Sequence, residues 1–192
     1  MRLLKSAVFT TVIFSSAVSF AEDTYTQLKP ADDADVQLVM MQPLMGNWDC
    51  SRQVLQKDGS WLKPQQISHW QWRYVLNGYA VQDYWYPKAD DLTGPGMGTN
   101  LRIYDPTSKT WKMTWTFDTL ARFQTFVAIF DGDTMVMNGE YPASPQRPAH
   151  KAKITFHNIS EKYFDWKYES SKLDDGKNWL EVVRLHCKKV GS

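Results

Sequence analysis

The chain has 192 residues, with 22 basic and 21 acidic side chains, four histidines and nine each of Trp, Tyr and Phe. A near-neutral balance without a basic run leaves no electrostatic footprint for nucleic acid or an anionic membrane surface, so no nucleic-acid partner is expected. The length suits one domain of ordinary size, and the rings supply an interior unusually rich in aromatic residues.

The N-terminus reads as a secretory signal peptide. Arg2 and Lys5 precede an uncharged stretch from Ser6 to Ser19, and Ser19 and Ala21 put small residues where a signal peptidase reads them. The competing reading is a membrane anchor, but the stretch is shorter than the ~20 residues that span a bilayer. Cleavage after Ala21 is therefore expected, making residues 1–21 the signal peptide. It removes two basic residues and leaves a mature chain with one net negative charge. No second apolar stretch approaches spanning length. The expected location is outside the cytoplasm, periplasmic or secreted.

Residues 22–45 read as a leader and a short helix. Asp32, Asp33 and Asp35 precede Val36-Gln37-Leu38-Val39-Met40-Met41, and acidic residues suit the positive end of a helix. Pro43 should end it. Residues 46–192 then form the folded domain. Everything after Gly46 alternates in period two between closely spaced turn signals, the pattern of an all-β sandwich or barrel. About ten strands are predicted, over 47–55, 66–76, 79–86, 98–104, 110–117, 121–130, 133–139, 151–159, 162–170 and 178–189. Turns fall at Lys57–Ser60, Asn77-Gly78, Asp105–Ser108, Asp131–Asp133 and Asp174–Lys177, each carrying the Gly, Pro, Asn or Asp that tight reversals need. Successive hairpins describe an up-and-down antiparallel meander, and closure into a barrel removes its exposed edges. A two-sheet sandwich would need longer crossing connections. The longer connections, 87–97 and 140–149, read as plain loops. The first is Gly-rich but lacks the lysine and helix of a phosphate loop.

Cys50 opens the domain and Cys187 lies near its end. In an oxidising compartment they suit a disulfide enclosing nearly the whole fold; two free buried thiols are the alternative.

Gly46-Asn47-Trp48, placed between the short helix and the first strand, resembles the Gly-x-Trp entry motif of lipocalins, whose Trp plugs the closed end of the barrel. The resemblance implies that Arg184 packs across Trp48. The Thr-Asp-Tyr motif of lipocalins is missing, ten strands replace eight, and no helix follows the last strand. Tyr104-Asp105-Pro106 with Trp111, Gly132-Asp133-Thr134 and Asp175-Gly176-Lys177-Asn178-Trp179 are more similar to a bacterial family of lipocalin-like exported barrels with no established activity. Strand parity sets two of these expectations against each other. Trp48 and Cys50 share a face, whereas Arg184 and Cys187 fall on opposite faces of a regular strand.

The inward faces gather the candidate ligand-binding residues: Trp70, Trp72, Tyr74, Asp83, Trp85, Arg102, Trp111, Trp115, Trp166 and Tyr168. Phe117, Phe123 and Phe164 are placed on the same faces. Trp and Tyr bring polar tips that need partners when buried, and apolar walls with a few such tips suit a small apolar or aromatic molecule. The alternative is a barrel simply filled by rings, which would make a solid-core interaction module. A lyase- or isomerase-type enzyme would rest on Asp83, with Arg73 or Arg102 as a charge partner. No nucleophile motif supports it, and no catalytic residue is assigned. His69, His150, His157 and His186 lack metal-ligand spacing, so neither a metal nor a cofactor is expected. The strand count is similar to that of ten-stranded haem barrels, and His186 would be the axial ligand of a haem alternative. Oligomeric state is not encoded legibly.

Overall fold

The computed structural model describes residues 29–63, 66–119, 122–145, 147–172 and 177–191. The signal peptide expected at 1–21, the start of the leader and most of the turn at 174–177 lie outside the described residues.

One short helix, α1 (Val36–Met40), and a 3-10 turn (Gln42–Leu44) precede the sheet. The strands are β1 (Gly46–Leu55), β2 (Trp61–Leu62), β3 (Ile67–Val75), β4 (Ala80–Tyr86), β5 (Gly98–Asp105) and β6 (Thr110–Phe117). They continue as β7 (Gln124–Asp131), β8 (Thr134–Tyr141), β9 (His150–His157), β10 (Tyr163–Lys172) and β11 (Leu180–Lys189). Each strand pairs antiparallel with the next along the chain, except that β3 pairs with β1, and β11 returns to pair with β1. The result is a closed, ten-stranded antiparallel barrel, with the two-residue β2 as an additional strand laid against the end of β1. That added strand was not expected from the sequence.

Alternation drives the closure. In β3, Ser68, Trp70, Trp72 and Tyr74 are buried, and the residues between them lie on the other face. In β7, Gln124, Phe126, Ala128 and Phe130 are buried while their neighbours are exposed. This parity corrects one expectation. β7 starts at Gln124 rather than 121, Gln124 takes the inward position, and Phe123 is 73% exposed.

The helix closes one end of the barrel. Asp35 caps it, its carboxylate accepting the Gln37 N–H at 2.9 Å. Leu38, Met41 and Leu44 are buried against Trp48, whose indole N–H donates to the Leu44 carbonyl at 2.7 Å. The Tyr74 hydroxyl donates to the Leu38 carbonyl at 2.7 Å. The leader reaches the same end by passing over the β3–β4 turn. There Gly78 has φ +86°, and an added Cβ would lie 2.3 Å from the Ala31 nitrogen, so only glycine fits.

At the seam of the barrel, Cys50 and Cys187 face each other in register with Cα atoms 4.0 Å apart, placed to form a disulfide. The parity conflict is thereby resolved in favour of the cysteines. Arg184 pairs with Gln53 on the outer wall, where its guanidinium covers the Trp61 ring at 4.0 Å. It does not cross Trp48, as the lipocalin resemblance implied. Lys189 stands opposite Trp48 instead, with Nζ 5.3 Å from the ring centroid.

Candidate functional site

Cross-strand register builds the interior from the residues upward. Trp72, Asp83, Asn100, Trp115 and Gln124 form one row across β3 to β7. One step toward the open end, Trp70, Trp85, Gly98 and Phe117 form the next row. Trp70 and Trp85 meet edge-on at 5.1 Å, and Trp115 and Phe117 at 4.9 Å.

These rows enclose a cavity of about 450 Å³. Trp70, Trp85, Trp115 and Phe117 make one wall; Phe126, Met137, Ile154 and Trp166 make the other. Asn100 and Arg102 line its inner part, and Arg52, Tyr141 and Tyr168 its outer part. The volume lies within the about 300–1,000 Å³ range of small-molecule sites. A larger, open hollow of about 680 Å³ lies on the outer wall over β9, β10, β11 and β1, where Ser51, Thr155, Lys167 and Arg184 are among the residues that line it.

The inner end of the cavity is polar and charge-neutral. Asp83 and Arg102 are fully buried and form an ion pair. Asp83 Oδ1 also accepts the Trp70 indole N–H at 2.9 Å, so both carboxylate oxygens are engaged. Burial pushes the Asp83 pKa up, against the opposing pull of Arg102 and the Trp70 bond. Burial lowers that of Arg102, against the pull of Asp83. The Arg102 guanidinium covers the Trp72 ring at 4.1 Å. Among the described residues, Asn100 Oδ1, Arg102 Nε and Trp72 Nε1 are buried without a hydrogen-bond partner.

At the mouth, Tyr141 stacks on His150 with ring centroids 5.1 Å apart and planes 7° from parallel. His150 Nδ1 lies 3.0 Å from the Pro148 carbonyl, and Nε2 3.0 Å from the Tyr168 hydroxyl. A carbonyl only accepts, so Nδ1 carries the proton and Nε2 accepts from Tyr168. Burial pushes the Tyr141 pKa up to about 12, with neighbouring Tyr168 adding to the rise. Burial raises the Tyr168 pKa too. Arg147 donates to Ser170 Oγ, and Arg122 lies 5.9 Å over the Tyr141 ring.

Of the residues singled out from the sequence, Trp70, Trp85, Arg102, Trp115, Trp166 and Tyr168 line the cavity. Trp72 and Asp83 lie behind it, under and beside Arg102. Tyr74 and Trp111 are consumed by the closed end, Trp111 donating to Gln37 Oε1 at 3.4 Å. Arg73 does not reach Asp83: it sits on the outer wall, over the Tyr84 ring and bonded to Gln71. His186 also faces outward, with Nδ1 2.7 Å from Asp165, because Leu185 and Cys187 take the inward positions. It is therefore not placed as an axial ligand inside the barrel. Among the described residues, no three His, Cys, Asp or Glu side chains are grouped to hold a metal ion.

Sequence reasoning missed Asn100, Tyr141 and His150. Asn100 shares its face with Arg102 two positions on, and Tyr141 continues the alternation of Met135, Met137 and Gly139. Extending each pattern by one step would have found both. His150 follows Pro148 at the start of β9, and only the fold brings it to Tyr141 and Tyr168.

The fold is a β-barrel of the lipocalin-like type. No family model and no curated protein matches the sequence. Two examples stand for the solved structures that share the fold. Rv2717c from M. tuberculosis superposes with a TM-score of 0.53 at 9% identity, over 82% of this chain and 99% of that one. The S-type phycobiliprotein lyase CPES from Guillardia theta superposes with a TM-score of 0.52 at 12% identity, over 82% of this chain and 93% of that one. At such identities the likeness is one of architecture.

Proposed function

We propose that this chain is an exported binding barrel for a small, partly apolar molecule, held among Trp and Tyr side chains in the open half. The cavity of about 450 Å³ walled by Trp70, Trp85, Trp115 and Trp166 carries this reading. A barrel serving only as a solid scaffold would fill that volume, since interiors pack to crystal-like density. Asp83 is ion-paired to Arg102 and bonded to Trp70 behind the cavity rather than among the residues that line it, which favours binding over acid–base turnover. Export belongs to the same proposal. The segment 1–21 is removed on passage, and a disulfide-capable Cys50–Cys187 pair suits an oxidising compartment. Kinship with the exported lipocalin-like bacterial family is also part of it.

Native mass spectrometry of the purified protein, paired with tryptophan-fluorescence titration by naphthalene, biphenyl and 1-anilinonaphthalene-8-sulfonate, tests the binding claim. A saturable quench and a one-to-one complex are expected. Trp115→Ala should weaken binding, whereas a surface control such as Lys112→Ala should not. Absence of any bound mass and of any saturable quench would sink the proposal.

A further inference from the structure

The two ends of the cavity differ in charge. At the inner end, the Arg102 charge is already matched by Asp83, and both groups are buried. A ligand anion placed there would add a buried charge with no counter-charge, which a low-dielectric interior penalises strongly. A neutral polar group would instead meet Asn100, whose amide offers both a donor and an acceptor.

The mouth is the opposite case. Arg52 lines the cavity there, Arg122 lies over Tyr141, and Arg147 binds Ser170 beside Tyr168. Among the described residues, none of the three has a carboxylate within ion-pair distance. Two acids on adjoining parts of the barrel are engaged elsewhere. Asp118 accepts the backbone N–H groups of Gly96 at 3.0 Å and Met97 at 3.3 Å, and Glu181 lies 3.9 Å from Arg184 on the outer wall. Guanidinium groups recognise planar carboxylates through paired donors, and three without a carboxylate partner among the described residues form an anion-attracting rim.

From this contrast we infer that the ligand is an elongated aromatic monoanion, its ring system among the tryptophans, its uncharged end on Asn100 and its anionic group at the arginine mouth. The inference rests on the binding reading above and gives that ligand a class and a direction.

Three matched probes test it on the full protein: biphenyl-4-carboxylate, biphenyl-4-carboxamide and 4-phenylbenzylammonium, followed by calorimetry and tryptophan quenching. The carboxylate should bind at least about tenfold tighter than the carboxamide at low salt, and the ammonium weakest. Raising the salt should shrink the preference, because an exposed rim is screened. The triple variant Arg52→Gln, Arg122→Gln, Arg147→Gln should abolish the preference for the carboxylate over the carboxamide. All three changes are at the mouth, and an unchanged melting temperature would show that the fold is intact. If the carboxamide binds as well as the carboxylate, the barrel still binds aromatics but the anion assignment is overturned. A preference that survives the triple variant overturns the orientation. Failure of all three probes and of the neutral hydrocarbons overturns the binding reading and this inference together.

Discussion

The closed and open ends of the barrel use the same side chains for different ends. Both are rich in Trp and Tyr, so composition does not separate them. Hydrogen-bond partners do. At the closed end the Trp48, Tyr74 and Trp111 tips donate to Leu44, Leu38 and Gln37, all supplied by the helix and the turn after it. Among the described residues no segment plays that part at the open end, and Asn100 Oδ1 and Arg102 Nε stay unpartnered. Rings whose tips are taken up by the helix and its turn are sealed from the cavity, whereas Trp70 and Tyr168, whose tips meet Asp83 and His150 of the barrel wall, still face it.

If the closed end holds the fold together, the largest effects should come from breaking it. Cys50 and Cys187 join the first and last strands at a sequence separation of 137. In the chain-entropy model, reduction should cost roughly 4–5 kcal/mol. Urea unfolding with and without a reductant, paired with a free-thiol count, measures it. Free thiols in the untreated protein, or an unmoved midpoint, would show that the strand ladder alone holds the seam.

A pair of tryptophan variants sets the two ends directly against each other. Trp48 is fully buried, and Trp48→Ala should cost about 3–5 kcal/mol. Trp85 borders the open cavity, so Trp85→Ala should cost about 1 kcal/mol or less in stability, in line with single changes outside packed cores. It should nevertheless weaken aromatic binding strongly. Equal losses of stability would mean that the open half is as tightly packed as the plug. Next in size is Gly139→Ala on β8. An added Cβ would lie 2.6 Å from the Phe126 ring and 2.7 Å from the Thr125 carbonyl oxygen. Backbone cannot yield there, so a loss of about 1–3 kcal/mol is expected. Because Phe126 forms a cavity wall, ligand affinity should shift with it.

Much of this contrast was legible in the sequence, and its limits are physical. Ten runs of alternating residues lead to ten barrel strands, because period-two patterning is local and each side chain reports its own face. β2 escaped because two residues are too few to show a period. The helix was legible from Asp35 and the apolar run behind it. Which rings it would partner was not, because the contacts from Leu38 to Tyr74 and from Gln37 to Trp111 depend on how the helix docks. For the same reason Tyr74 and Trp111 looked like cavity residues from the chain alone. Parity did expose the conflict between the Arg184 and Cys187 expectations, and only cross-strand register could decide it.

The smallest expected effect is also at the open end, and it depends on pH. His150 is buried, and burial lowers its pKa below the ordinary value of ~6.5. The bond to Pro148 opposes this, while Arg147 and Arg122 add to the lowering. A histidine whose folded pKa lies below its unfolded one binds fewer protons in the folded state. Its contribution to stability is therefore complete above about pH 6.5 and is lost as the pH falls from there toward the folded value. Protonation would also put a donor on Nε2, where the ring now accepts from Tyr168. Urea midpoints at about pH 7.5 and about pH 5.5, compared between the wild type and His150→Gln, isolate this group from the carboxylates that titrate lower. The wild type should lose more stability on acidification than the variant. An identical loss in both would mean that the mouth cluster opens freely to water, and that the open end lacks the rigidity its stacked rings imply.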